Sequence, residues 1–296
     1  MRPVASGSNA VSIGMSSQST GTSSVALGDS ALATGTSSIA IGKGRAATQD
    51  SVAIAITDST TTYGAKTDAN AVAIGCLATA SGSYSAVIGG FSCAAEDYAV
   101  TLGGASLYAL GAYSGVLSGY GGQATGAYSA VIGGYNAIAS AHGKIVSGVG
   151  GNLSSVVGAA QSGTLTLVRN TTNNTPTVLT SDNLTPGALN QLVLSNNQSM
   201  AVTGRVIAQR KGSESTTSTA MWTFNAVIRR GANAASTALV AAVTPALIAA
   251  DADAAAWTIA VTADTTNGGL AVTVTGDTGK NIRWVCTLES TETIYS

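Results

Sequence analysis

The chain has 296 residues, 45% of them hydrophobic and only 9% charged, against about 25% charged residues in ordinary soluble domains. Thirteen Lys and Arg face 14 Asp and Glu for a net charge of −1, so no basic surface exists to neutralise a row of phosphates, and nucleic-acid binding is excluded. Disorder is excluded too, because disordered chains combine low hydrophobicity with high net charge.

From its first residues the chain repeats a short phrase: Ala10-Val-Ser-Ile-Gly14, Ser24-Val-Ala-Leu-Gly28, Ser38-Ile-Ala-Ile-Gly42, Ser51-Val-Ala-Ile-Ala55, Ala71-Val-Ala-Ile-Gly75, Ser85-Ala-Val-Ile-Gly89 and Ala99-Val-Thr-Leu-Gly103. It continues as Ser114-Gly-Val-Leu-Ser118, Ser129-Ala-Val-Ile-Gly133 and Gly143-Lys-Ile-Val-Ser147. Successive closing positions differ by 14, 14, 13, 20, 14, 14, 15, 15 and 14. The long step contains the polar stretch Thr57 to Thr67, read as a loop inserted in one coil. A weak last unit ends at Gly158.

Each apolar phrase predicts a strand, and the following Gly a turn. About seven residues on, Gly21, Gly35, Gly82 and Gly126 mark a second turn, for which glycine supplies positive φ at no steric cost. Helix is excluded, since apolar residues do not recur at i, i+3 and i+4 and glycine recurs too often. Two short strands and two turns per unit make one coil of a parallel β-solenoid, and ten coils spaced ~4.8 Å give a rod of about 48 Å.

Counted back from the closing residue, position −1 is Ile, Leu or Val throughout, and position −3 is Val or Ile in most early units. Side chains alternate along a strand, so these two are expected to point into the coil. Position −2 is then expected to point outward, and from residue 85 on it is mostly apolar: Val87, Val116, Val131 and Ile145 are the candidates for packing against other chains. Position −5 holds Tyr84, Tyr98, Tyr113, Tyr128 and His142, a column expected to stack coil upon coil. Its sharper reading is a glycan-contact ladder, since tyrosine faces suit sugar rings.

These phrases resemble the head repeats of trimeric autotransporter adhesins of the YadA type, best at Ser24 to Gly42. Tyr128-Ser-Ala-Val-Ile-Gly-Gly-Tyr135 is similar to related repeats of bacteriophage fibres. The resemblance covers about residues 8 to 150. It implies a left-handed parallel β-roll packed as a homotrimer. The adhesins' signal peptide, stalk heptads and membrane anchor find no counterpart, which favours the phage branch. Residue 1 enters the repeats almost directly, so either the chain is the distal fibre or it attaches through its C-terminal part.

After Gly163 the period stops. Thr164 to Arg169 predicts a strand, and Asn170 to Pro186 is a Thr/Asn/Pro-rich connector. Alternating strands follow at Ala201 to Gln209, Met221 to Arg229, Ala256 to Ala263, Gly269 to Thr275 and Ile282 to Leu288, separated by Gly and Asn turns. This pattern predicts an antiparallel β-sandwich with Trp222, Trp257 and Trp284 in its core. The expected organisation is a β-roll over 1–160, a strand and connector over 161–190 and a sandwich knob over 191–296.

No phosphate loop, G-x-S-x-G elbow or H-E-x-x-H motif occurs. With one histidine and scattered acids, among them the adjacent Glu96 and Asp97, no catalytic, cofactor or metal residues are expected. Asp251-Ala-Asp253 reads as a solvated turn and Arg229-Arg230 as a polar rim. Cys76, Cys93 and Cys286 lack paired spacing and are expected to be reduced core residues. The chain is thus expected to be a non-enzymatic virion protein, a trimeric tail fibre for host attachment, made in the host cytoplasm and neither Sec-exported nor inserted in a membrane. Its expected partners are its own copies, other tail or capsid proteins, and a host surface glycan or protein. Alternatives are a capsid-decorating head fibre attached through the sandwich, a bacterial surface adhesin, and a polysaccharide-degrading spike.

Overall fold

A computed structural model describes residues 2–55, 65–68, 70–151, 153, 155–211 and 217–295. It divides into two units, Met1–Ala139 and Ser140–Ser296. Most of the insertion expected at Thr57 to Thr67 lies outside the described residues.

The first unit is the expected parallel β-solenoid of about ten coils. Each phrase forms a short strand, and each pairs in parallel with its counterpart one coil away: Val11↔Val25, Val52↔Val72, Val87↔Thr101 and Val116↔Val131. The second strands of the coils, from Val4–Ala5 to Ile138–Ala139, form a separate ten-stranded sheet. Within each ladder, N–H groups of one coil donate to carbonyls of the next.

The strand faces are the reverse of those expected. Position −2 points into the coil: Ala26, Ala40, Ala53, Ala73, Val87, Thr101, Val116 and Val131 are all 0% exposed. Opposite them lie the equally buried Ala33, Ala46, Ala80, Ala94, Ala109 and Ala124 of the second strands. A coil of about 14 residues is narrow, so Ala, Ser and Val mostly fill it and the Ile and Leu of the phrases are displaced outward, while the buried Leu107 is accommodated beside Gly122 of the next coil. Three of the buried serines are satisfied locally: the Ser24, Ser38 and Ser51 hydroxyls each donate to a turn carbonyl at 2.7 Å.

The turn glycines also act differently from expectation. Positive φ falls on the residue two beyond them, at Ser23 (56°), Ser37 (56°), Tyr84 (58°) and Tyr128 (57°). Gly21, Gly35, Gly82 and Gly111 are needed for space instead, because a Cβ there would overlap the backbone of the next coil.

In the second unit Ile145–Gly148 pairs antiparallel with Ala160–Thr171, which pairs with Ile282–Ile294, then Gln198–Arg210, then Thr219–Arg230. A smaller antiparallel sheet is centred on Gly269–Thr275. The strands run longer than the alternation alone marked. Both sheets contribute to one buried cluster that includes Leu167, Val206, Phe224, Val272 and all three tryptophans. Trp284 stacks on Trp222 at 5.7 Å and tilts against Trp257 at 5.8 Å, and its Nε1–H donates to Thr171 Oγ1 at 2.9 Å. The unit boundary falls between Ala139 and Ser140, before the expected residue 160.

The second unit also holds a buried ion pair, Lys144 Nζ to Glu292 Oε1 at 2.7 Å. Gln161 and Gln198 donate to the other carboxylate oxygen, and Ser290 donates to the first. A carboxylate taken out of water needs such partners on both oxygens.

Candidate functional site

Two surface features of the first unit stand out, an aromatic ladder and an apolar face. The ladder is built by the left-handed residue of the second turn in successive coils. Because the coils stack in register, Tyr84, Tyr98, Tyr113 and Tyr128 are held face to face at centroid separations of 5.2, 4.7 and 4.9 Å, within 9° of parallel. All four remain about half exposed. A second stack, Tyr120 on Tyr135 at 5.1 Å, lies on another turn column and was not anticipated. The signal for it was the same spacing of 15 that the phrases show there.

Stacking changes what the ladder can do. Each inner ring has both faces covered by its neighbours, so edges and hydroxyls are what it offers to a ligand. At Tyr84 the stacked rings end, and the column continues as Asn70 and Asp50. A shallow cavity of about 620 Å³ there is lined by Gln49, Asp50, Asn70 and Tyr84.

His142 does not continue the column. The last strand, Ile145–Gly148, has the burial pattern of Ala130–Gly133, exposed at its third residue and buried at its second. That alignment closes the final unit at Gly148 rather than Ser147. The left-handed place therefore belongs to Gly143 (φ 71°), and the His142 N–H donates to Leu189 O at 2.7 Å.

The apolar face comes from the reversed strand. Positions −1 and −3 put Val11, Ile13, Ile39, Ile88, Leu102, Leu117 and Ile132 in exposed positions. Of the four residues expected to pack against other chains, Val87, Val116 and Val131 lie inside their own coil, while Ile145 is 42% exposed. Ile145 escapes only because the one-residue slip moves it to position −3, leaving Val146 buried at −2.

Among the described residues no group of three or more His, Cys, Asp or Glu comes together. Glu96 and Asp97 sit at a turn, where Asp97 Oδ1 accepts the Ser83 N–H at 2.9 Å. Asp251 accepts the Thr219 N–H at 2.8 Å, and Arg230 donates to Leu194 O at 2.7 Å. All three cysteines are free thiols. Cys286 is buried among the tryptophans, and burial pushes its thiol up to about 12. Cys93 is raised by burial against a hydrogen bond with Ser81, whereas Cys76 is exposed and departs from the core placement expected of it. Among the described residues no helix is long and apolar enough to cross a membrane.

An all-β chain with a parallel solenoid of small-residue coils and a flanking antiparallel unit defines the class. Its coils are of a known kind: residues 19–44 match two copies of the YadA head domain repeat. No curated protein matches the chain. Among solved structures it is similar to the tailspike protein of Acinetobacter baumannii phage AM24, at 10% identity and a TM-score of 0.24, over 86% of this chain and 62% of that one. The tailspike protein of Acinetobacter phage vB_ApiP_P1 is similar at 9% identity and a TM-score of 0.23, over 87% of this chain and 66% of that one. A capsular polysaccharide depolymerase, the tailspike of Acinetobacter baumannii bacteriophage Fri1, is similar at 8% identity and 0.24, over 90% of this chain and 46% of that one. This chain thus spans about half to two thirds of their length, and the assignment of its coils rests on the repeat itself.

Proposed function

We propose that the chain is a non-enzymatic structural and binding protein of a phage virion, a homotrimeric tail fibre that mediates host attachment. The observation that carries the proposal is the outward apolar face of the solenoid. Ile88, Leu102, Leu117 and Ile132 are 46%, 36%, 48% and 53% exposed on one chain and hold the same place in four successive coils, and Ile13 is 61% exposed at that place in an early coil. Contiguous apolar surface of this kind marks an interaction site. Its regular spacing fits a second copy of the same solenoid, whose face has the same rise per coil. The YadA-type repeat supports three copies, and the phage-fibre resemblance of Tyr128 to Tyr135 supports the virion. In this reading the coils form a shaft and the second unit is the part that meets a surface.

The test is mass in solution. Three times the 28.9 kDa chain mass is expected, and Ile88→Asp combined with Ile132→Asp should give folded single chains. A wild-type protein that stays folded at 28.9 kDa sinks the proposal. Immunogold labelling of virions separates a tail position from a capsid one. Glycan turnover that is lost on replacing Glu96 or Asp97 would overturn the non-enzymatic reading.

A further inference from the structure

The chain's charge is sparse, which makes a cluster of cations in the second unit informative. Arg210, Lys211 and Arg283 line a cleft of about 520 Å³ in the second unit, together with Asn170, Thr171 and Gln209. It lies where three neighbouring strands end or begin. Asn170 and Gln209 flank Arg283 on either side in the sheet register, so the three side chains form a row on one face. Alternation puts Lys211 on that face as well, one step diagonally from Arg283, and the Lys211 N–H donates to Asn281 O at 2.9 Å.

Two cations on diagonal cross-strand neighbours repel each other, and among the described residues no carboxylate lines the cleft. The nearby Asp277 is bridged to Lys280 at 2.6 Å. It also acts on Arg210, which alternation puts on the other face of its strand from Gln209, whereas Arg283 and Lys211 share the face of the amide row. The Arg283 guanidinium is oriented by donating Nε–H to Asn170 Oδ1 at 3.2 Å, and its terminal nitrogens present the fork that suits a planar carboxylate.

We infer that this cleft binds an acidic saccharide, with the sugar's anionic group on Arg283 and Lys211 and its hydroxyls on Asn170, Gln209 and Asn281. The amides decide between a sugar and a bare anion. Each both donates and accepts, which matches ring hydroxyls, whereas an inorganic anion uses donors only. The volume suits one or two sugar rings with their water. The inference rests on the fibre reading only for where such a sugar would be met.

The test is calorimetry on the full chain with a glucuronic-acid-containing oligosaccharide, its carboxyl-reduced neutral counterpart, and inorganic phosphate. Binding of the acidic sugar is expected to weaken at least about tenfold in the Arg283→Gln, Lys211→Gln double variant, since charge-assisted hydrogen bonds are lost. A similar loss is expected for the neutral sugar, while Arg205→Gln, which removes an exposed pair with Glu289, leaves affinity unchanged. Added salt should weaken wild-type binding, because the site is exposed. Equal binding of the neutral sugar, no effect of the double variant, or binding of phosphate alone would overturn the inference. The mass of each variant is read on the same samples, so an intact trimer that binds no acidic sugar refutes the cleft and leaves the fibre reading standing.

Discussion

At the scale of single residues, the tyrosine ladder shows two opposed terms of similar size. Tyr113 holds φ 59°, a left-handed conformation that costs an L-residue about 1–2 kcal/mol. Its ring meets Tyr98 at 4.7 Å and Tyr128 at 4.9 Å, and aromatic pairs contribute about 0.5–1.5 kcal/mol each. Asn tolerates the left-handed region, and the same turn place is held by Asn9 and Asn70 (φ 56° and 51°). Tyr113→Asn should therefore lose the stacking but relieve the backbone, for a net loss of about 1 kcal/mol. Tyr113→Val loses the stacking and puts a β-branched residue in the strained place, and should cost about 1–2 kcal/mol more. Urea unfolding of the two variants checks this, and equal losses would show that backbone strain plays no part. The stack itself was legible in the sequence as a column of Tyr at coil spacing. That its faces are spent on each other was not, because spacing does not say how rings tilt.

At the scale of the coil, position and period were legible while direction was not. The phrases stand as strands in register, the last of them shifted by one residue, and every long alternating strand of the second unit is present. The inside and outside of the solenoid strand came out reversed, because an Ile-Ala-Ile phrase carries the same alternation whichever face is buried. Width decides: two strands this close favour the smaller column, so Ala and Val go in, and the buried Leu107 fits where Gly122 of the next coil carries no side chain. A related distinction separates two glycines. At Gly111 an added Cβ would overlap the backbone of Gly126 in the next coil, whereas at Gly143 nothing lies within 4 Å and only φ 71° opposes a side chain. Gly143→Ala should cost about 1 kcal/mol from the left-handed backbone, and Gly111→Ala several kcal/mol, since rigid ladders on both sides prevent the coils from separating. Thermal unfolding of both variants measures the difference. Similar shifts would mean that the coil gives way more easily than its hydrogen bonds suggest.

At the scale of the whole molecule, the sparse charge and the outward apolar face bear on the same question, how many chains unfold together. If folding and trimerisation are coupled, each trimer yields three unfolded chains, and stability depends on the square of chain concentration. Tenfold dilution then costs about 2.8 kcal/mol per trimer, two factors of the 1.4 kcal/mol that a tenfold change represents. A dimer would lose one such factor and a monomer none, so the slope of unfolding against concentration counts the chains without reference to shape. The Ile88→Asp, Ile132→Asp variant should show no slope. Because only 9% of residues are charged, salt should leave the wild-type slope unchanged, and sulfate should raise the transition by strengthening apolar burial. A transition that falls steeply with sodium chloride would instead place ion pairs at the contact, on a face where the exposed ladder positions of the described coils are Val, Ile and Leu.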